Sequence, residues 1–207
     1  MADGYLPRLD ISYSAKQEVR RVRDTLERLS WYQEEGYRVD LPGGITKESD
    51  DEEVMRAVEH EYAAASYAEH AATLQKEWEA LHRGFGRMKE EPTFHLEDEY
   101  NVVLTKYGVG GSYDPNLNKV TVKVSARPRG GIAGIVVHEV VHLAVQYLID
   151  LHQLPHWRKE RLVDLVVERY FPGLRKMQDI AEDVSIVDRA FEKYFPNMEE
   201  VVRSIGG

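Results

Sequence analysis

The segment Gly131-Ile132-Ala133-Gly134-Ile135-Val136-Val137-His138-Glu139-Val140-Val141-His142-Leu143-Ala144-Val145-Gln146-Tyr147-Leu148-Ile149-Asp150 decides how this chain is read. It is apolar almost throughout, and Pro128 and Gly130-Gly131 precede it as breakers, so it reads as one buried helix. Set into the apolar run are His138, Glu139 and His142. Helical residues i and i+4 lie one turn apart on one face, so the two imidazoles can address a single ion. Glu139 is about 100° round the helix from His138, beside such an ion rather than on it. Its carboxylate can there take a proton from a water that the ion has made acidic. Two ligands and a base thus share one rigid element.

A catalytic zinc site needs three protein ligands and an open position. The chain has no cysteine, so the third ligand must be His, Asp or Glu. A Gly-x-x-His continuation of the same helix is absent, because Val145 and Leu148 occupy those places. The next helix supplies a candidate. Pro155 opens it, it runs from His156 to about Tyr170, and Pro172-Gly173 closes it. Glu160 and Asp164 are i and i+4 within it, and a turn from His152 to Pro155 would fold them back against the first helix. Glu160 can then complete the site, while Asp164 accepts the Nδ1 proton of a ligand His and fixes its tautomer. Glu168 and Asp164 itself compete with Glu160 for the ligand role. His60, His70 and His82 lie on an earlier helix and read as surface or boundary residues.

Working outward, Asn101 to Tyr107 reads as a strand and Gly108 to Asn118 as a turn. Val120, Val122 and Val124 alternate with Thr121 and Lys123 in a second, half-buried strand. That strand is expected to be an edge that pairs with a peptide substrate. Ser14 with Gln17 starts a helix that runs to about Gln33, with Val19, Val22, Leu26 and Leu29 as its apolar stripe. Gly36 to Thr46 is a loop. A longer helix is expected from a Ser49/Glu52 capping box to a stop at Gly84-Phe85-Gly86. Two or three short helices follow Pro172, with Pro196 between them. The expected organisation is an N-terminal helical region, 1–91, and a core with C-terminal helices, 92–207. The expected fold class is α+β, mostly helical, with a small antiparallel sheet packed on the helix that carries His138 and His142.

His138-Glu139-x-x-His142 followed by Glu160-x-x-x-Asp164 resembles the gluzincin, or thermolysin-like, zinc metallopeptidases. Pro155-His156-Trp157-Arg158-Lys159-Glu160-Arg161-Leu162-Val163-Asp164 is similar to that family's Pro-Trp-x-x-Glu-x-Leu-x-x pattern, with Arg161 where the family keeps a small residue. The resemblance covers about residues 93 to 170, and the chain is closest in size to the minigluzincins. It implies a zincin-like core and a Zn2+ ion held by His138, His142 and Glu160. It implies Glu139 as the base, Asp164 behind the ligands, and peptide hydrolysis as the activity. It also implies a His or Tyr that steadies the oxyanion, for which Tyr113, His156 and Tyr170 are candidates by position. The first 90 residues carry no such resemblance.

Composition narrows the alternatives. The chain has 207 residues, is 43% hydrophobic and 30% charged, and carries a net charge of -9. It has enough apolar residues for a real core, and a nucleic-acid or anionic-membrane partner is not expected. The lack of cysteine fits a reducing, cytoplasmic setting. Met1 to Arg8 shows no signal-peptide pattern. The apolar stretch Gly131 to Leu151 contains His138, Glu139, His142, Gln146 and Asp150, which suits a bilayer poorly. The expected partner is a peptide or protein substrate. Two other readings stay open: a zincin-fold protein that binds metal and a partner without turnover, and a helical interaction module carried by the first 90 residues.

Overall fold

The computed structural model describes residues 4–125 and 131–206. Pro128 and Gly130, read above as breakers, lie outside them. Among the described residues the chain is a mixed α/β fold of nine helices and one four-stranded sheet. Strand β1 (Arg8–Ser12) leads into helices α1 (Ala15–Glu27), α2 (Leu29–Glu34), α3 (Asp51–Glu61), α4 (Ala64–Glu79) and α5 (His82–Lys89). Strands β2 (Glu99–Thr105), β3 (Gly111–Asp114) and β4 (Lys119–Lys123) follow. Helices α6 (Gly131–His152), α7 (His156–Tyr170), α8 (Ser185–Tyr194) and α9 (Met198–Ile205) complete the fold.

The sheet is mixed, not antiparallel as expected. Its order is β1-β2-β4-β3; β1 and β4 both run parallel to β2, and only β3 and β4 are antiparallel. Parallel neighbours need long crossovers. The β1-to-β2 crossover contains all five N-terminal helices. The Gly108–Asn118 stretch, read as a turn, contains β3 itself. After β3 the chain reverses, with Asp114 Oδ1 accepting from Asn116 N (3.1 Å) and Asn118 at φ +45°.

This topology corrects the reading of Val120, Val122 and Val124 as a substrate-pairing edge. Strand β4 is interior, bonded to β2 on one side and β3 on the other. Val120 and Val122 are fully buried in the core, and Val124 lies beyond the strand, its N–H on Thr105 O (2.7 Å). Among the described residues the free edge on this side of the sheet belongs to β3.

Helix α6 packs on one face of the sheet, where Tyr100, Val102, Leu104, Val120 and Val122 meet Ile135, Val136 and Val140 in one apolar cluster. Each such side chain contributes about 1.5–3 kcal/mol by leaving water. Helices α4, α7 and α9 cover its other sides. By length and hydropathy α6 could cross a membrane, but 83% of its most apolar window is buried inside the fold. Burial on every side explains an apolar run with no amphipathic stripe. The α6–α7 turn is tight: Gln153 takes φ +49° and Leu154 N–H bonds to Ile149 O (3.1 Å), which sends α7 back along α6.

The N-terminal region contributes to two clusters: Val22, Leu26, Val54 and Val58 form a smaller one with Tyr107, while most of its other buried apolar residues join the main core. Strand β1 completes the sheet, and Leu9, Tyr67, Leu74, Trp78, Phe85 and Met88 belong to the same cluster as α6. The expected long helix from 49 to 84 is three helices. Its capping box lies one residue later than expected, at Asp50 and Glu53. Gly84 sits inside α5 rather than ending a helix, because a side chain there would collide with the Phe171 ring.

Candidate metal centre and its cleft

The i, i+4 spacing on α6 does locally what the sequence suggests. His138 Nε2 and His142 Nε2 lie 3.1 Å apart. Helix α7 adds the third group: Glu160 Oε2 is 3.2 Å from His138 Nε2, and Glu160 Oε1 is 3.4 Å from His142 Nε2. The two imidazoles face different oxygens of the one carboxylate, and a donor atom from each of the three residues lies within 4.8 Å of the others. The buried trio His138, His142 and Glu160 can therefore hold a metal ion. All three are at most 7% exposed.

The surroundings fit that role. Asp164 Oδ1 lies 3.2 Å from His138 Nδ1, and its Oδ2 accepts from Gln178 N (2.6 Å). Asp164 thus stands on the Nδ1 side of His138, with His142 and Glu160 on its Nε2 side. Gln178 Nε2 also donates to Glu160 Oε2 (2.8 Å). Glu168, the competing carboxylate, instead accepts from Gly173 N (3.2 Å) at the end of α7. Glu139 is buried on α6 beside the trio, against β3. A Cβ at Gly111 would collide with Glu139 Oε1 and Ile135, so the close approach of β3 to α6 requires glycine there.

Burial and neighbours set the charge states. Burial pulls the His142 pKa down to about 4, which keeps the imidazole neutral, the form that binds metals. Burial also lowers His138, but the carboxylates of Asp164 and Glu160 outweigh it and the net shift is upward. Glu160 would be raised by burial, yet the two imidazoles hold it well below the usual carboxylate range. Burial raises Glu139 above that range, and the neighbouring Glu160 adds to the rise.

Of the three positional candidates for an oxyanion partner, two stand at the cleft. The Tyr113 ring stacks on His142 (4.8 Å, 11°), presented by β3. His156 Nδ1 is 4.0 Å from Glu160 Oε1, and its Nε2 is 2.8 Å from the Tyr37 hydroxyl. Tyr170 is elsewhere, packed on Phe94 and Phe195. Reading the sequence missed Tyr37 and Gln178, both on irregular segments with no periodicity to flag them. The cleft over the trio has a volume of about 400 Å³, and Trp31, Tyr37, Lys159 and Arg175 contribute to its walls. The N-terminal region, through Trp31 and Tyr37, therefore helps to build this site. No protein-family model, curated protein or solved structure matches this chain.

Proposed function

We propose that this chain is a zinc-dependent metallopeptidase of the gluzincin type, built on a zincin-like core, that hydrolyses bonds in a peptide or protein substrate. The observation that carries the reading is the convergence of His138, His142 and Glu160 in one buried site, with Glu139 on the same helix and a free strand edge alongside. Two imidazoles and one carboxylate, with a fourth side open to a cleft, suit zinc. When bound, zinc supplies Lewis-acid polarisation of the scissile carbonyl and brings the pKa of a water to about 7.

The chain's own residues supply the rest. Glu139 takes the water's proton and later returns it to the leaving amine. Asp164 orients the His138 ring through Nδ1. Tyr37 and His156, bonded to each other in the cleft wall, would be the donors to the carbonyl oxygen as charge builds on it. The free edge of β3 aligns the substrate backbone by strand pairing.

Zinc-loaded Glu139→Gln should keep its metal and lose about 10²- to 10⁴-fold in kcat on a peptide library. Full activity in that variant ends the reading, as does protein expressed with ample zinc that carries none. The hydrogen bond from Gln178 to Glu160 Oε2 favours a second reading, in which the metal organises a binding protein without turnover. In that case the wild type holds zinc and cuts nothing.

A further inference from the structure

Strand β3 separates two clefts. Gly111 and Tyr113 face α6, the first against Glu139 and the second on His142, so Ser112 and Asp114 face the opposite way, towards α1. There Ser112 Oγ accepts from Arg21 Nη1 (3.0 Å). Between α1 and this outer face of the sheet lies a cleft of about 580 Å³. Arg20, Arg21, Arg28 and Lys119 line it, against only Asp24 and Asp114, in a chain whose net charge is -9. Lys119 and Asp114 are paired with each other at 3.6 Å. Arg21 is buried, and its Nη2 has no hydrogen-bond partner among the described residues. Arg20 and Arg28 are exposed, two turns apart along α1 and its C-cap, and neither forms an ion pair among the described residues. Arg28, Tyr32, Ser112, Tyr113 and Pro115 line this cleft and the metal cleft alike, so Arg28 stands where the two meet.

A peptide added to the free edge of β3 continues the alternation of the sheet. Every second side chain turns to the metal side, and those between turn to the α1 side. We propose that the peptides taken here carry acidic side chains at the positions facing α1, received by Arg28 and Arg20, and that this cationic cleft sets the substrate class. The proposal rests on the peptidase reading for its strand-paired substrate. Arg21, buried behind the two exposed arginines and bonded through Nη1 to Ser112 Oγ, adds a third guanidinium on the same side of the strand.

The test uses the zinc-loaded full chain and two fluorescent peptides of one sequence, with Glu or Gln at alternate positions. Binding is followed by anisotropy and cleavage is measured separately. The Glu peptide should bind about tenfold more tightly at low salt. That advantage should shrink as ionic strength rises. The double variant Arg20→Glu, Arg28→Glu changes two exposed positions, so it should fold, keep its zinc, and lose or invert the preference. Equal affinity of wild type for the two peptides, no measurable binding of either, or an unchanged preference in the double variant overturns the proposal, whether or not a peptide is cut. An acidic preference in binding without any cleavage upholds the cleft and removes the peptidase reading instead.

Discussion

Two buried carboxylates, Glu160 on α7 and Glu18 on α1, have surroundings that push them in opposite directions. Glu160, on α7, lies among His138, His142 and Lys159, and these neighbours overcome burial and keep it ionised. Glu18, on α1, accepts from the Tyr67 hydroxyl and the Lys106 backbone N–H, and its Oε2 has no partner. There burial is the largest influence and the pKa rises. The metal side is a set of groups that depend on one another's charge. The α1 side uses its buried carboxyl as a hydrogen-bond acceptor. The same residue type, buried in both places, is thus driven to ionise where its partners outweigh burial, as His138 and His142 do at Glu160, and not where they fall short, as Tyr67, Arg21 and Lys106 do at Glu18.

The contrast can be broken most easily at its strongest point. His138→Ala should weaken zinc binding well beyond the roughly 100-fold typical of changes behind the ligands. It should also cost the metal-free fold about 3–5 kcal/mol, because Glu160 is left buried without that partner. Chelator competition and urea unfolding measure the two effects, and a variant that keeps wild-type zinc affinity would remove His138 from the site. Next in size, Asp164→Asn should cost about 10- to 100-fold in zinc affinity. If affinity is unchanged, Asp164 serves only the Gln178 backbone N–H it accepts from.

The smallest effect sharpens the α1 side. The folded pKa of Glu18 is raised, so its contribution to stability is full below the unfolded value of about 4.3 and is lost as pH rises through the folded one. Glu18→Gln keeps an oxygen for Tyr67 and Lys106 and replaces the unpartnered Oε2 with a donor. It should match or exceed wild-type stability near pH 7 and flatten the decline between about pH 4 and pH 7. Urea titrations across that range read the slope. A marked loss of stability near pH 7 would show that the α1 side also needs its charge, and the contrast with Glu160 would disappear.

The legible parts of the molecule are those whose geometry is local. His138 and His142 share one face of one helix, Glu160 and Asp164 one face of the next, and the 3.6-residue period alone places each pair and sets Glu139 about 100° round from His138. The boundaries of α7, His156 to Tyr170, follow from Pro155 and Pro172-Gly173. The break between α3 and α4 has no such mark. Tyr62 turns extended there without a Gly or Pro, as its ring stacks on Tyr67 while Glu61 binds Lys106 and Tyr107 from the sheet. Gly84 looked like a helix stop, yet it makes room for Phe171, a neighbour far along the chain. Tyr37 reaches the cleft from a loop, so no pattern in its own segment announces it.

The sequence by itself determined that His138, Glu139 and His142 ride on one buried helix with the two imidazoles one turn apart, because spacing within a helix is a property of the backbone. It also pointed to Glu160 and Asp164, because a short turn must return the following helix against the first. Only the tertiary structure decided which strand keeps a free edge. Val120 and Val122 alternate as an edge strand does, but alternation reports which face is buried and not which neighbours pair with the backbone. That depended on β3, four residues within a stretch rich in turn formers, closing over β4 and placing the site's open edge beside Glu139.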